Sequence, residues 1–160
     1  MAVHTPTAGL DQIRALAANI HARGQRLVVT SGCFDLLHYG HVKFLQGSRA
    51  LGDALVVLVS VDEDIRALKG PSRPIIPGWE RAHVLDALAA VDDVILHAGD
   101  VFYELLAILR PHHFTKGLEY HAHPDYLATL RPYVGEVSLV DHPVTSTTST
   151  SIIERCRAAT

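Results

Sequence analysis

The chain has 160 residues, of which 48% are hydrophobic, and its formal net charge is −3 with the histidines neutral. This length is typical of one domain, and this share of apolar residues is enough to build a full core. The slight negative charge argues against the clustered basic surface by which proteins grip a nucleic-acid backbone. We therefore expect a single domain over residues 1–160 and no nucleic-acid partner.

Targeting and redox signals are weak throughout the sequence. The first residues lack the basic start and apolar core of a secretory signal, and no apolar run approaches the roughly 18 residues of a membrane span. We expect a cytoplasmic protein with no membrane contact.

The two cysteines, Cys33 and Cys156, are too few and too far apart for a disulfide framework or a CxxC zinc site, so we expect reduced thiols.

The first half of the chain alternates between helical periodicity and short apolar runs. Apolar residues at helical spacing from Leu10 to Ile20, followed by Gly24, predict a helix in an N-terminal extension over residues 1–24. The run "RLVVTS" predicts the first strand. A helix over "YGHVKFLQGSRALG", a buried strand over "ALVVLVS" and a short helix over "VDEDIRALKG" follow it.

The second half continues the same alternation after the Pro-rich loop "GPSRPIIPG". The segments "WERAHVLDALAA", "DVFYELLAILRP" and "HPDYLATLRPY" predict helices, and "DDVILHA", "HHFTKG" and "GEVSLV" predict strands. A Ser/Thr-capped helix over "TSTSIIERC" closes the chain. Such alternation predicts the α/β class, as a single doubly wound, Rossmann-like domain with a five-stranded parallel sheet.

The stretch "SGCFDLLHYGH" lies at the carboxyl end of the first predicted strand, where ligands of doubly wound sheets bind. Gly32 permits close approach of a ligand to the backbone, and the helix that begins near Tyr39 offers free N–H groups to an anion. His38 and His41 are neighbours on a helix surface, and both can donate hydrogen bonds to a phosphate. Helix capping and simple surface exposure are the alternative interpretation of these histidines.

The motif "GCFDLLHYGH" resembles the HxGH signature of the nucleotidyltransferase superfamily that includes glycerol-3-phosphate cytidylyltransferase and the nucleotidyl domain of ADP-heptose synthase. The segments "LKGPSRPIIPGWERAHVLDALAAVDDVI", "TKGLEY" and "TSTSII" are similar to later motifs of that family, in the same order. The resemblance implies transfer of a nucleoside monophosphate from an NTP to a phosphate on a small acceptor, with release of pyrophosphate. It implies Mg²⁺ bound mainly through the NTP phosphates and no protein ligands to metal.

The resemblance also implies roles for individual residues. Charge on the triphosphate would be stabilised by four catalytic side chains, His38, His41, Lys69 and Arg73. The nucleotide-binding residues would be Gly32, Cys33, Phe34, Asp35, Gly40, Arg81, Lys116, Gly117, Thr148, Ser149 and Thr150. Several of them have an ordinary alternative: a solvated basic loop for Lys69 and Arg73, an intrahelical ion pair for Arg81, strand termination at Lys116, and helix capping by the hydroxyls of Thr148, Ser149 and Thr150.

The donor and the acceptor stay open at this point. The segments "LKGPSRP" and "KGLEY" favour the ADP-heptose-synthase branch, and so ATP with a sugar phosphate such as heptose 1-phosphate. Leu118 and Glu119 depart from that branch, where Gly and Asp are usual. A CTP-dependent enzyme acting on glycerol 3-phosphate, another polyol phosphate or a phosphonate is therefore the alternative. A nucleotide-sensing module without turnover is an alternative of another class, and a homodimer is also left open.

Overall fold

The parallel sheet is the scaffold of the molecule, which a computed structural model describes at residues 3–4, 9–141 and 147–159. All strand pairs are parallel, in the order β1-β4-β3-β2-β5-β6. The strands are β1 (Val3–His4), β2 (Leu27–Gly32), β3 (Ala54–Ser60), β4 (Asp93–His97), β5 (His113–Gly117) and β6 (Glu136–Val140). The prediction of five parallel strands is confirmed by β2 to β6, which run 3-2-1-4-5 among themselves; β1 adds a two-residue edge.

Helices connect successive strands, as the alternating pattern predicted. They are α1 (Leu10–Ala22), α2 (Tyr39–Arg49), α3 (Asp62–Lys69), α4 (Gly78–Asp86), α5 (Phe102–Leu109), α6 (Pro124–Leu130) and α7 (Ser149–Ala158). Short 3-10 turns cover Gly99–Val101 and Leu118–Ala122. Within the described ranges, none of the helices is long and apolar enough to cross a membrane.

The core lies in two layers, one on each face of the sheet. Successive strand residues point to opposite faces, so Val29 packs with α1, α5 and α6 while Val28 packs with α2 and α4. Because both faces are covered, the central strands are continuously apolar: β3 buries six of its seven residues. This covering explains why β3 reads as an unbroken apolar run rather than as an alternating pattern.

Helix α1 belongs to this core. Ile13, Ala17 and Ile20 are buried against the sheet, and the Nε2 atom of His21 lies 2.9 Å from the carbonyl oxygen of Leu109 in α5. The helix predicted within the N-terminal extension is therefore present and is packed as an integral element. Residues 1–2 and 5–8 of that extension lie outside the described residues.

The strand order reverses beside β2. From β2 the chain moves to β3 and β4 on one side of the sheet, and β5 and β6 later pair on the other side. The carboxyl ends of β2 and β5 are therefore adjacent, with Thr30 opposite Thr115 in the register. Doubly wound sheets bind ligands at such a switch point, because the loops after the two strands diverge and leave a crevice.

Candidate active site

A cavity of about 350 Å³ opens at this switch point. Its walls come from the loop after β2, the start of α2, the end of α3, the end of β5 with the turn that follows, and the start of α7. The predicted site residues that line it are Gly32, Cys33, Phe34, Asp35, His38, Gly40, His41, Lys69, Lys116, Gly117 and Ser149. The fold thus places predicted site residues around one cavity although they are up to 117 positions apart in the sequence, from Gly32 to Ser149.

The two histidines of the HxGH motif are packed against each other at the start of α2. His38 is the N-cap residue, and its ring centroid lies 3.9 Å from that of His41. The backbone N–H of His38 points at Nδ1 of His41 across 3.4 Å, within a reciprocal capping box. An Nδ1 atom that accepts leaves the proton of a neutral His41 on Nε2, which is then a donor. The capping role and the ligand-binding role are therefore compatible.

The loop that carries this motif is held in a strained conformation. Phe34 and Leu36 have φ angles of 49° and 53°, in the left-handed region that non-glycine residues rarely adopt. Such residues cost on the order of 1–3 kcal/mol each and cluster at functional sites. Gly40 is favoured for a different reason, since a Cβ atom there would lie in tight contact with the His38 ring, 3.1 Å from its Cε1. Gly40 thus allows the imidazole to cover the helix start.

Lys116 reaches the cavity from β5. It lies across the switch point from the loop of residues 33–38 that joins β2 to α2, here called the HxGH loop. Its Nζ donates to the carbonyl oxygen of Ser31 at 2.8 Å and to the Ser31 hydroxyl at 3.0 Å. The ammonium group also lies 4.7 Å from the ring centroid of Tyr120 and 5.7 Å from that of Tyr126. Burial lowers the pKa of Lys116 to about 8, although Coulomb interactions with the neighbouring acidic groups, including Glu119, act in the opposite direction. A buried cation is thus placed beside the cavity.

Lys69 approaches the same cavity from the end of α3. It is the last residue of that helix, is exposed, and lines the cavity together with Leu68. Gly70 follows with a φ of 92° and ends the helix. The prediction placed Lys69 on a loop; the structure places it at a helix end, where its long side chain is solvated and free of any recorded ion pair among the described residues.

Arg73 has a different environment from Lys69. It is 9% exposed, and its Nε donates to Oδ2 of Asp35 at 2.7 Å. Asp35 also accepts from the backbone N–H groups of Ile75 and Ile76 at 3.0 Å. Burial raises the pKa of Asp35, but these backbone hydrogen bonds and Arg73 outweigh it and lower the pKa overall. Arg73 therefore ties the 70–77 loop to the HxGH loop and does not line the cavity.

Arg81 is buried at the base of the same loop, 2% exposed. Its guanidinium donates to the carbonyl oxygens of Cys33, Ile76 and Ser60, the last at 2.9 Å, and its Nη2 lies 2.7 Å from Oδ1 of Asp62. The alternative of an intrahelical ion pair is wrong, because Asp62 belongs to α3 and not to α4. Arg81 joins the HxGH loop, β3, α3 and α4 beneath the cavity.

The start of α7 reaches the HxGH loop. Thr148 is the N-cap residue and exchanges hydrogen bonds with Ser151, which confirms the predicted Ser/Thr cap. The Ser149 hydroxyl donates to the carbonyl oxygen of Asp35 and lines the cavity. Thr148 and Thr150 do not line it. Asp35 consequently contacts two other segments. Its carboxylate accepts hydrogen bonds from the 70–77 loop, and its backbone carbonyl oxygen accepts one from Ser149 in α7.

Five further residues line the cavity that were not predicted as site residues: Ser31, Phe44, Leu68, Glu119 and Tyr120. Glu119 and Tyr120 belong to the quoted "KGLEY" motif and directly follow a predicted strand end, so their position was a usable signal. Phe44 lies three residues after His41, on the same side of α2. Ser31 and Leu68 are the first residues of the quoted stretches "SGCFDLLHYGH" and "LKGPSRP", so their positions were also a usable signal.

The cavity offers nitrogen donors and cations rather than a metal cluster. Among residues 9–141 and 147–159, no group of three or more His, Cys, Asp or Glu side chains is arranged to hold a metal ion. Cys33 and Cys156 are not joined in a disulfide, as predicted. With two histidines, two lysines and a helix N-terminus converging on one space, the arrangement favours a polyanion such as a triphosphate.

Comparison with known proteins agrees with this chemistry. The family model described as cytidylyltransferase-like matches residues 29–155. The bifunctional protein HldE of Nitratiruptor sp. is 40% identical over 148 residues, 92% of this chain and 31% of that protein. HldE of Pelobacter propionicus is 45% identical, over 91% of this chain and 30% of its own length. The chain therefore spans about a third of the length of these relatives.

A solved structure is similar as well. The crystal structure of a lipopolysaccharide core biosynthesis protein from Thermoplasma volcanium superimposes with a TM-score of 0.65 at 27% sequence identity, over 76% of this chain and 100% of the other. The family match covers the HxGH loop, the start of α2, the end of α3, the end of β5 and the start of α7, which are the segments that build the cavity. From this match and this geometry together, the chain belongs to the cytidylyltransferase-like family.

Proposed function

We propose that the chain transfers the adenylyl group of ATP to the phosphate of a sugar phosphate such as heptose 1-phosphate, and releases pyrophosphate. The observation that carries the proposal is the convergence of both HxGH imidazoles, the α2 N-terminus and the Lys116 ammonium on one cavity at the switch point. The identity with HldE proteins over most of this chain supports a sugar phosphate as the acceptor.

The chemistry needs no protein nucleophile. An oxygen of the acceptor phosphate attacks the α-phosphorus of ATP in line with the leaving group, and a new P–O bond forms. The bond between the α-phosphorus and the oxygen bridging to the β-phosphorus breaks, and that oxygen leaves on pyrophosphate with the electron pair. The protein's contribution is positioning and charge stabilisation, because the substrates supply both reacting groups.

We assign charge stabilisation to His38 and His41. Their position at the N-terminus of α2 combines imidazole N–H donors with the free backbone N–H groups and positive end of the helix. Negative charge grows on the bridging oxygen as the bond to the α-phosphorus breaks. Preorganised donors aimed at that charge lower the barrier without reorganising during the reaction.

Lys69 and Lys116 supply full positive charges from two sides of the cavity. Lys116 is fixed by Ser31 and the tyrosine rings, so we assign it to a constant position on the α-phosphate or the acceptor phosphate. Lys69 is exposed at the end of α3, and we assign it to the β- and γ-phosphates, where a long mobile side chain can follow the leaving pyrophosphate.

ATP would bind with Mg²⁺ carried mainly through its phosphates, and the ion would keep part of its hydration shell. Two carboxylates line the cavity. Asp35 uses both oxygens for Arg73 and the backbone of Ile75 and Ile76, so Glu119 is the carboxylate we assign to the hydrated ion. Magnesium supplies charge neutralisation on the phosphates when bound.

We assign Arg73 and Arg81 as positioning residues that act on the HxGH loop. Arg73 fixes Asp35, and Arg81 fixes the carbonyl oxygens of Cys33 and Ser60, so both hold the strained HxGH loop in its binding conformation. Neither lines the cavity. This differs from the catalytic role that the resemblance implied for Arg73.

CTP is the second candidate donor, since the matching family model is cytidylyltransferase-like. Adenine and cytosine present similar hydrogen-bonding edges, an exocyclic amine beside a ring nitrogen, so a pocket selects between them by size and alignment.

We infer a cytoplasmic location because the nucleoside triphosphates that the reaction consumes are made there. A homodimer stays a prediction.

Initial-rate measurements of pyrophosphate release test the proposal. The protein is incubated with ATP or CTP, Mg²⁺ and either heptose 1-phosphate or glycerol 3-phosphate. We expect the highest kcat/KM for ATP with heptose 1-phosphate. A higher value for CTP would overturn the adenylyl assignment, and nucleotide binding with no pyrophosphate from any pair would favour a sensing module.

A further inference from the structure

Three hydroxyl groups are buried in the core layer between α2 and the sheet. Ser48 of α2, Thr30 of β2 and Thr115 of β5 each have an exposed fraction of 0%. Thr30 lies two residues after Val28, on the face of the sheet that α2 covers, and aliphatic and aromatic side chains make up most of that layer. A buried hydroxyl costs free energy unless it is hydrogen-bonded, and valine would fill nearly the same space as threonine. Packing alone therefore does not call for these groups.

The buried hydroxyls connect α2 to β5 and β5 to β2. The Thr115 hydroxyl donates to Oγ of Ser48 at 2.9 Å, and the Thr30 hydroxyl donates to the backbone carbonyl oxygen of Thr115 at 2.9 Å. A hydrogen bond has a preferred length and direction, which a contact between aliphatic groups does not have. The bond between Ser48 and Thr115 therefore favours one setting of α2 on the sheet over neighbouring ones.

Helix α2 comes close to the sheet at the same place. A Cβ atom on Gly47 would lie 2.6 Å from Cγ1 of Val140 in β6, closer than the roughly 3.5–4.0 Å at which carbon atoms pack. Gly47 thus lets the last turn of α2 approach β6, while Ser48, the next residue, bonds to β5. Two small residues in sequence hold the helix against two neighbouring strands.

This contact lies between two groups of the active site. Ser48 is two helical turns after His41, so the two residues lie on the same side of α2. Thr115 directly precedes Lys116 in β5. Because a helix moves as a rigid element, a shift of α2 along β5 would displace the His41 ring from the Lys116 ammonium by the same distance. The setting of α2 therefore fixes the spacing of these two cavity-lining groups.

We propose that Ser48 and Thr115 are positioning residues, whose hydroxyl bond holds the His41 imidazole at its working distance from the Lys116 ammonium across the cavity. Neither residue lines the cavity, so neither contacts a substrate. The inference rests on the proposed function, which requires both cavity groups to act on the same phosphates. A misplacement of about 1 Å caused far from the chemistry can cost roughly 10²-fold in rate. The competing explanation is a bond that contributes to stability alone.

The double variant Ser48→Ala/Thr115→Val separates positioning from stability. Removal of one hydroxyl leaves its buried partner unsatisfied, whereas replacement of both partners by apolar groups of similar shape is nearly neutral. We therefore expect each single variant to unfold at a lower urea concentration than the wild type, and the double variant to recover most of that loss. The double variant then reports on the geometry of the site in a folded protein.

Steady-state kinetics of the folded double variant test the proposal. We expect its kcat for pyrophosphate release to fall about tenfold or more while its KM for ATP stays within about threefold, because the bond acts on the alignment of groups in the transition state. Tyr103→Phe/Thr129→Val is the matched control, since it removes an exposed hydroxyl pair, 3.0 Å apart between α5 and α6, outside the cavity lining. The control should keep wild-type kcat. Wild-type kcat in Ser48→Ala/Thr115→Val would overturn the proposal.

A measurement without turnover separates this inference from the proposed function. The His41 ring centroid lies 5.5 Å from that of Phe34, in the loop after β2, so a shift of α2 changes the ring current that His41 experiences. In ¹H–¹³C nuclear magnetic resonance of the ligand-free proteins, the Hε1 resonance of His41 should move in Ser48→Ala/Thr115→Val and stay in place in the control.

The two claims can then fail independently. A moved resonance, in a chain whose wild type releases no pyrophosphate, would contradict the proposed function and support the placement of His41 by the hydroxyl bond. An unmoved resonance would overturn that placement whatever the turnover of the wild type.

Discussion

Two pairs of cationic side chains surround the active site, and they differ in what they contact. Lys69 and Lys116 line the cavity. Arg73 and Arg81 lie behind its wall and are bonded to Asp35, Asp62 and backbone carbonyl oxygens. A basic residue in a nucleotide-binding motif can therefore stabilise the loop instead of binding the phosphate. Arginine suits the second task, because its planar fork donates in several fixed directions.

The largest expected effect belongs to the structural pair. Arg81→Ala removes a buried guanidinium and leaves Asp62 and the carbonyl oxygens of Cys33 and Ser60 without their donor. We expect the free energy of unfolding to fall by about 3 kcal/mol or more, as when one partner of a buried ion pair is deleted. Urea denaturation at pH 7 measures it.

Lys69→Ala is the matched control for this loss of stability. Lys69 is exposed at the end of α3, so its removal should change the free energy of unfolding by less than about 0.5 kcal/mol. A stability loss for Arg81→Ala no greater than that of Lys69→Ala would contradict the division into two pairs.

The next largest expected effect is the fall in kcat when an HxGH imidazole is removed. His41→Ala removes the ring whose Nε2 donor we assign to the phosphates, and we expect kcat to fall roughly 10²-fold or more, as for deletion of one preorganised donor. His83→Ala, at an exposed histidine of α4 outside the cavity lining, should keep wild-type kcat. Near-normal turnover in His41→Ala would remove that ring from the mechanism.

The pH dependence of Lys116 has a definite sign. Burial lowers its pKa to about 8, so the folded protein releases this proton before the unfolded chain does. Stability then rises with pH above about 8, by at most about 1.4 kcal/mol per unit, until the unfolded lysine also deprotonates near its ordinary pKa of about 10.4. Activity should fall over the same range because the positive charge is lost.

Lys116→Met provides the comparison for that titration. This variant should have lower activity at pH 7 and should lack the alkaline decline centred near the lysine pKa of about 8. Its unfolding free energy should not share the rise that the wild type shows above that pH. Superimposable pH profiles for the two proteins would show that Lys116 does not carry the titration.

The smallest expected effect belongs to Lys69. An exposed lysine contributes a modest charge contact, so Lys69→Ala should raise the KM for ATP by about five- to tenfold and lower kcat less. Lys43→Ala, which removes an equal charge from α2 outside the cavity lining, should leave both constants unchanged. Identical kinetics in Lys69→Ala and Lys43→Ala would assign Lys69 to a solvated helix end.

Much of this site could be predicted from sequence because its parts are local. Strand β2 ends at Gly32 and α2 begins at Tyr39, and both boundaries follow from periodicity and the glycine-rich motif. The parallel sheet predicted from the alternating pattern places the carboxyl ends of all its strands at one edge, which is where Lys116 meets Ser31. Such features depend on element type and order.

The contacts of Arg73 and Arg81 could not be predicted in the same way. Their partners are Asp35, Asp62 and backbone carbonyl groups that become neighbours only when separate segments pack together. Periodicity describes which side of one element faces the core. It carries no information on which of several basic residues turns toward a ligand and which turns toward a carboxylate.

The most direct test of the central claim follows the phosphorus atoms through the reaction. ³¹P nuclear magnetic resonance of a mixture of the protein, ATP, Mg²⁺ and heptose 1-phosphate should show equal accumulation of pyrophosphate and of a new diphosphate diester. The diester should contain the α-phosphorus of ATP and the phosphorus of the sugar phosphate, and His41→Ala should form it roughly 10²-fold more slowly. Formation of AMP or ADP without the diester, or diester formation from CTP alone, would contradict the account.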